Sequence, residues 1–228
     1  VSKKWTEAQK RKIEHSRWSI TEEIVALINA GDNPPELLIS GSAIGFYGRQ
    51  QDQVIDENFS TPHDEFSHQL CERWEFLAKK AQSDKTRVCI LRTGVVITKR
   101  GGALQKMLLP FKLGLGGPIG DGTQYMSWIH LEDMLRGIAH LIANEGCEGV
   151  YNFTAPNPVT NGEFSRELAS ALSRPCLFKV PEFVLRMMMG EMGDLVLYGQ
   201  RVVPKRLQES GYEFIYPEIS QALNCLRK

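Results

Sequence analysis

The stretch Leu37-Leu38-Ile39-Ser40-Gly41-Ser42, with the helical segment and the apolar run Val88-Cys89-Ile90-Leu91 that follow it, decides the fold of this chain. The apolar periodicity between the two runs predicts a helix over about residues 64–82. A strand, a helix and a second strand in this order predict one parallel crossover, and therefore an α/β protein with a parallel sheet. The small residues at the end of the first strand lie where such sheets bind ligands.

The composition excludes several classes of protein. The chain has 228 residues with 27 basic and 27 acidic side chains, so its net charge is zero. This balance argues against nucleic acid or a membrane surface as a partner. No apolar run approaches the roughly 18 residues that span a bilayer, and no signal peptide is recognisable. The five cysteines are scattered and never form Cys-x-x-Cys, which predicts reduced thiols, a cytoplasmic location and no metal site.

The two ends of the chain suggest its organisation. The sequence begins with an amphipathic helix, and no strand is predicted ahead of it, so the N-terminal strands of a doubly wound sheet would be missing here. The predicted apolar face of this helix consists of Ile20, Ile24, Leu27 and Ile28. From residue 180 the sequence changes to short, methionine-rich helical pieces. We therefore predict a main domain over residues 1–179 and a small, mostly helical C-terminal lobe over residues 180–228.

The helix predicted over residues 64–82 carries polar residues beside its apolar stripe. Ser67, Cys71 and Glu75 recur every four residues, so they lie along one line next to the buried face. Residues on that line can point into a cleft while the stripe packs on the sheet. Since Ser42 ends the preceding strand, we predict that Ser42 and Cys71 face a common crevice.

A glycine-rich stretch elsewhere has the spacing of a phosphate-binding loop but not its context. Gly114, Gly117 and Gly120 recur every three residues. A phosphate loop lies between a buried strand and a helix N-terminus, whose free N–H groups meet the phosphate. Here Pro110 precedes the glycines and Asp121-Gly122-Thr123 follows them. We therefore interpret the stretch as an ordinary loop.

Several motifs resemble the extended short-chain dehydrogenases and, more narrowly, an uncharacterised epimerase family of atypical members. The first resemblance rests on Ser40-Gly41-Ser42-Ala43-Ile44-Gly45-Phe46-Tyr47-Gly48, Leu91-Arg92-Thr93-Gly94-Val95 and Trp128-Ile129-His130-Leu131-Glu132-Asp133. The second rests on Leu113-Gly114-Leu115-Gly116-Gly117-Pro118-Ile119-Gly120 and Gly199-Gln200-Arg201-Val202-Val203-Pro204-Lys205-Arg206-Leu207. The atypical family carries a distinctive C-terminal domain, which matches residues 180–228.

The resemblance implies a Rossmann-type doubly wound sheet that binds NADP, with NAD as the alternative, and an unknown small-molecule substrate of nucleotide-sugar type. It places Gly41, Gly94 and Val95 beside the dinucleotide. It also implies that Ser42 polarises a ligand oxygen and that Arg17 supplies a positive charge. A homodimer is compatible with the sequence, which does not determine the oligomeric state.

The chain departs from the parent superfamily at its catalytic pair. That superfamily carries Tyr-x-x-x-Lys on this helix, whereas Ser67 and Cys71, or Phe66 and Leu70 in the other register, occupy the positions here. Serine is a far weaker acid than a phenol, and an uncharged thiol cannot replace an ammonium group. Two functions stay open: an atypical NADP-dependent dehydrogenase or epimerase, and a non-catalytic NADP-binding sensor or interaction protein.

Three residues have alternative interpretations. Cys71 is either a buried small hydrophobe or a nucleophile activated by His68, which is the nearest base in sequence and would make the protein an acyl or thiol-transfer enzyme. Tyr47 either packs its ring in a turn or serves as a relocated proton donor. His130 is either a functional residue or one that caps or packs against the helix that follows it.

Overall fold

The computed structural model describes residues 4–227, apart from the side chains of Met188, Met189, Cys225 and Arg227. Its helices are α1 (Glu7–Ala30), α2 (Phe66–Lys79), α3 (Gly102–Lys112), α4 (Leu131–Ala143), α5 (Asn161–Ala171), α6 (Glu182–Met189), α7 (Asp194–Leu197), α8 (Lys205–Glu209) and α9 (Ile219–Leu223). Its strands are β1 (Leu37–Ala43), β2 (Val54–Ile55), β3 (Arg87–Thr93), β4 (Val95–Ile97), β5 (Tyr125–Met126), β6 (Trp128–His130), β7 (Gly149–Phe153), β8 (Val159–Thr160) and β9 (Arg201–Val202).

A three-stranded parallel sheet in the order β1-β3-β7 forms the centre of the molecule. The pairing of β1 with β3 runs from Leu37 opposite Arg87 to Ala43 opposite Thr93, and α2 makes the crossover between the two strands. Two short parallel pairs, β4 with β6 and β2 with β9, lie beyond the ends of the main strands. The predicted strand–helix–strand crossover is confirmed, and it brings the carboxyl ends of β1 and β3 side by side.

Helices cover both faces of this sheet. Successive side chains of a strand point to opposite faces, and along β3 Val88 and Ile90 pack toward α1 and α2. Cys89 and Leu91 pack on the other face, toward α4 and α8. A strand that is buried on both faces is a continuous apolar run in the sequence, which explains residues 88–91. This is the doubly wound arrangement that the sequence predicts.

Helix α1 buries a different face from the predicted one. Ile20, Ile24 and Leu27 are 53%, 43% and 75% exposed. The buried residues of α1 are Thr21 and Val25. Ile20 and Ile24 line a shallow groove against β1, whose outer edge pairs with no other strand within residues 4–227. The predicted apolar face of this helix is therefore wrong, apart from Ile28, which contacts the core.

The rotation of α1 is set by two hydrogen bonds from tryptophans. Trp18 Nε1 donates to the backbone oxygen of Leu70 at 3.1 Å, and Trp74 Nε1 donates to Thr21 Oγ1 at 2.9 Å. The bonds run in opposite directions between α1 and α2. Because a buried indole N–H needs a partner, these bonds fix which side of α1 meets α2, and they turn Ile20, Ile24 and Leu27 outward.

The C-terminal segment, residues 180–227, is mostly helical and packs onto the rest of the chain. Strand β9 pairs with β2, α8 packs on β7, and α9 packs on α5. Tyr212 donates its hydroxyl to the buried carboxylate of Asp133 at 2.9 Å. The division into domains at residues 179 and 180 stays a prediction.

Two properties of the described residues bear on partners. None of their helices is long and apolar enough to cross a bilayer. Their His, Cys, Asp and Glu side chains form no group of three or more that could hold a metal ion.

Candidate functional site: a cleft at the carboxyl ends of β1 and β3

A cleft of about 940 Å³ opens where β1 and β3 end. Helix α1 forms one wall and α2 another, and the C-terminal segment contributes a third. Of the six residues predicted for the site, five line this cleft: Arg17, Ser42, Cys71, Gly94 and Val95. Gly41 does not; it lies in the neighbouring groove of about 210 Å³ between α1 and β1. A Cβ at position 41 would be 3.1 Å from the Trp74 ring, so packing of the tryptophan explains this glycine.

Ser42 lies at the floor of the cleft, bound to an ion pair. Its Oγ donates to Glu75 Oε1 at 2.7 Å. The same carboxylate takes two hydrogen bonds from Arg92, from Nε to Oε1 and from Nη2 to Oε2, each of 2.8 Å. Ser42, Glu75 and Arg92 are 6%, 2% and 4% exposed. Burial alone would lower the pKa of Arg92, but the Glu75 carboxylate outweighs it and raises that pKa.

The polar network continues away from the cleft through Tyr47. Arg92 Nη1 donates to the Tyr47 hydroxyl at 3.1 Å, and that hydroxyl donates to Asn152 Oδ1 at 2.7 Å. Tyr47 is fully buried and its burial raises the pKa of the phenol. Since it does not line the cleft, its ring packs in a turn, and it is not placed to serve as a proton donor to a ligand.

Cys71 faces the cleft beside Ser42 but is 3% exposed. Burial raises the pKa of its thiol to about 11. The ring of His68, the base considered for it, has its Nδ1 within 2.6 Å of the Phe46 carbonyl oxygen and does not line the cleft. A neutral thiol is a poor nucleophile, so the geometry favours the small buried hydrophobe.

We expect Cys71 to resist alkylation by iodoacetamide at pH 7.5 in the folded chain. With a pKa of about 11, roughly one thiol in three thousand is ionised at that pH. The pKa of the Cys71 thiol is higher in the folded chain than in the unfolded one. Its contribution to the free energy of unfolding is therefore present below about pH 9 and is lost as the pH rises toward 11. Peptide mass spectrometry after timed labelling measures this. Cys176, which is less buried, is the internal control, and labelling of Cys71 at the rate of Cys176 would contradict the assignment.

Two cations of α1 face the cleft, and no acid accompanies them. Lys12 and Arg17 both line it, whereas the described residues contribute no aspartate or glutamate to its lining. Arg17 Nη1 donates to the Ile13 carbonyl at 3.3 Å and to Ser16 Oγ at 3.1 Å, and its guanidinium lies 5.4 Å from the Trp74 ring centroid. Its charge is not offset by a carboxylate within the described residues, so the cleft favours an anionic ligand.

Packing requires a glycine at position 94, which also lines the cleft. A Cβ there would lie 2.6 Å from the Ser127 carbonyl oxygen and 3.0 Å from Thr154 Cγ2. The backbone at Ser127, between β5 and β6, therefore approaches position 94 too closely for any side chain. This contact accounts for the glycine without a cofactor, and the predicted role of Gly94 and Val95 beside a dinucleotide stays a prediction.

Other residues singled out in the sequence have structural roles. His130 is the N-cap of α4 and accepts the Glu132 N–H at Nδ1. Trp128 is fully buried in the core and donates its indole N–H to the Asn157 carbonyl. The loop with Gly114, Gly117 and Gly120 packs against the C-terminal segment, where Ile119 bridges to Val180, and lines no part of the cleft.

Several residues of the cleft were missed by sequence reasoning. Trp5 lies two residues before α1, and Gln9 and Lys12 lie in its first turns. Met192, Leu195 and Gln200 come from the C-terminal segment. The spacing of Gln9, Ile13 and Ser16 along one face of a helix could have indicated the first group. No local pattern indicates the second group, because it reaches the cleft only through tertiary packing.

Comparison with known proteins identifies the family. The sequence model of the NAD dependent epimerase/dehydratase family matches residues 2–153. The chain belongs to that family. Residues 180–226 match a domain of unknown function, DUF1731, as the resemblance of the C-terminal motifs implied. A chloroplastic epimerase family protein SDR39U1 homolog of Arabidopsis thaliana is 41% identical over 99% of this chain, which spans 65% of that relative.

Two solved structures of similar proteins support the assignment. Human epimerase family protein SDR39U1, crystallised with NADPH, has a TM-score of 0.94 and 32% identity, and the match covers 99% of this chain and 76% of that one. A nucleoside-diphosphate sugar epimerase of Corynebacterium glutamicum has a TM-score of 0.80 and 28% identity, over all of this chain and 45% of that one. The predicted Rossmann-type α/β fold is confirmed. The chain spans only part of each relative, about two thirds of the Arabidopsis protein.

Proposed function

We propose that this chain forms the nicotinamide side of an NADP(H) cleft and holds a small molecule of nucleotide-sugar type against the cofactor. The observation that carries the proposal is the cleft at the ends of β1 and β3, which is lined by Lys12 and Arg17 and by no acid of the described residues. Ligands of α/β sheets bind at this edge, and an uncompensated positive charge favours phosphate groups. The human relative was crystallised with NADPH, and the Corynebacterium relative is named for nucleoside-diphosphate sugars.

The residues of the cleft fit such a cofactor. Gly94 and Val95 bring backbone to the cleft surface, Arg17 and Lys12 offset negative charge, and Trp74 supplies an apolar wall that excludes water. The cofactor supplies hydride chemistry when bound. The chain itself binds, orients and desolvates the ligand. NADP is the proposed form because of the human relative, and NAD is the alternative.

We expect the Arg17→Met variant to bind NADPH about tenfold more weakly than the unaltered chain, a loss of roughly 1.4 kcal/mol. The reason is that the variant removes one of two cations from a cleft whose described lining contains no acid. Isothermal titration with NADPH, repeated with NADH, gives the dissociation constants. The matched control is Arg11→Met, on the same helix but outside the cleft lining. Equal affinities of the two variants would contradict the proposed role of Arg17.

A second candidate function has an observation of its own. The described lining of the cleft contains no tyrosine, and Ser42 and Ser67 both direct their hydroxyl protons to carboxylates. A described lining that holds no phenol, and whose two serine protons are engaged, is poorly equipped for the proton transfer of dehydrogenase or epimerase chemistry. A non-catalytic NADP-binding sensor or interaction protein is therefore the alternative.

NADPH oxidation with a panel of sugar nucleotides and carbonyl compounds separates the two functions. Turnover that is lost in Ser42→Ala but kept in Cys71→Ala favours the enzyme. NADPH binding without turnover on any member of the panel favours the sensor. A cytoplasmic location and a homodimer stay predictions.

A further inference from the structure

At its two serines the cleft presents hydrogen-bond acceptors, whereas its cations Lys12 and Arg17 present donors elsewhere in the lining. Ser42 is the first case. A hydroxyl has one proton and two lone pairs, and the proton of Ser42 lies in the 2.7 Å bond to Glu75 Oε1. Because both oxygens of Glu75 accept hydrogen bonds from Arg92, the proton of the bond between Ser42 and Glu75 comes from the serine. The hydroxyl can therefore only accept on its cleft side.

Ser67, on α2, also lines the cleft and has the same arrangement. Its Oγ donates to Glu65 Oε1 at 2.6 Å, and Glu65 Oε2 accepts from Arg49 Nε at 3.0 Å. A second serine that lines the cleft thus has its proton committed to a carboxylate that an arginine holds. If either serine turned its hydroxyl proton toward a ligand, its hydrogen bond to the carboxylate would break. The lone pairs of the hydroxyl and the carboxylate would then face and repel each other.

Gln200 provides a third acceptor from the C-terminal segment. Its Nε2 donates to the Gly48 carbonyl at 2.7 Å, and the residue is 6% exposed. Its Oε1 accepts no hydrogen bond from any described residue, although Gln200 lines the cleft. Every fully buried polar side-chain atom of the described residues has a partner, so this oxygen is at least partly accessible, on a residue that lines the cleft.

We propose that the serine side of this cleft selects a ligand group by its hydrogen-bond donor, and that it holds a hydroxyl group against Ser42 in preference to a carbonyl group. Glu75 and Glu65 are then positioning residues, since they set the polarity of the two serines without touching the ligand. The proposal rests on the proposed function only in taking the cleft as the ligand site. It implies that the alcohol form of a substrate, and not its ketone form, is the better bound partner.

The test uses three probes that differ in one functional group. Cyclohexanol donates and accepts a hydrogen bond, whereas cyclohexanone and methoxycyclohexane only accept, and all three suit apolar walls such as Leu70 and Trp74. Ligand-observed NMR titration of the chain at millimolar probe concentrations gives their dissociation constants. We expect cyclohexanol to bind about fivefold to tenfold more tightly than either other probe, the effect of one hydrogen bond.

Matched variants assign the preference to the serines. In Ser42→Ala the preference for cyclohexanol should fall to within twofold, while Ser19→Ala, on α1 outside the cleft lining, should retain it. Equal affinities, a preference for the ketone or binding of none of the probes to the unaltered chain would overturn the proposal. NADPH binding is measured separately, so a chain that binds NADPH but shows no preference refutes this inference and leaves the proposed function intact.

Neutron crystallography of the deuterated chain gives an answer that needs no ligand. We expect the deuterium of Ser42 between Oγ and Glu75 Oε1, and that of Ser67 between Oγ and Glu65 Oε1. Deuterium pointing from either serine into the cleft would overturn the assigned polarity, whatever the probes show.

Discussion

The Arg92→Met variant is expected to lose about 3–5 kcal/mol of unfolding free energy, the range for removing one partner of a buried ion pair. The arginine donates two bonds of 2.8 Å to Glu75, which is 2% exposed. Without it the carboxylate stays buried with Ser42 as its remaining side-chain partner. Urea denaturation followed by circular dichroism measures the change.

Two further variants serve as controls for this result. Arg73 pairs with Glu22 at 3.5 Å, and both side chains are about half exposed, so Arg73→Met should cost less than about 1 kcal/mol. The double variant Glu75→Gln with Arg92→Met removes both charges and should regain part of the loss. If Arg92→Met lowers the unfolding free energy no more than Arg73→Met does, the pair of Arg92 and Glu75 does not stabilise the floor of the cleft.

The second large effect is expected at Trp128, whose replacement by alanine should cost about 3–5 kcal/mol. The side chain is fully buried in the cluster with Phe164 and Leu168, and its indole N–H donates to the Asn157 carbonyl at 3.1 Å. The variant leaves a cavity and an unpaired carbonyl. The same denaturation experiment applies.

Trp5 provides a matched comparison because it is a half-buried wall of the cleft. Its ring meets Phe66 edge-on, with ring centroids 4.9 Å apart. Trp5→Ala should cost about 1 kcal/mol of stability and should alter the affinity for NADPH, whereas its effect on the core is small. If the two tryptophan variants lose equal stability, the distinction between core and cleft wall is wrong.

Much of the fold could be predicted because its signals are local. The apolar run at residues 88–91 and the periodicity of α2 fix the crossover, and the crossover brings Ser42 and Cys71 to one cleft. The rotation of α1 could not be predicted, since the bonds of Trp18 and Trp74 that set it join residues more than 50 positions apart. Apolar periodicity alone favoured the wrong face.

The chemistry of the site was harder to predict than its location. The role of Ser42 in polarising a ligand oxygen stays a prediction. The sequence could not show that the Ser42 hydroxyl donates to Glu75, or that Glu75 also accepts from Arg92 on the next strand. A sequence shows which residue types are present, but the direction of a hydrogen bond depends on a third side chain that only the fold brings close.

The tryptophan bonds between α1 and α2 bear on how a ligand is received. Since Trp18 and Trp74 join the two helices from both sides, and Asn29 Nδ2 adds a third bond to the Lys80 carbonyl at 3.0 Å, Arg17 is carried by a preorganised pair of helices. Helices α1 and α2 lose their conformational freedom when the chain folds, so ligand binding does not have to order them. Affinity should then depend on chemical complementarity, with little contribution from closure of this side of the cleft.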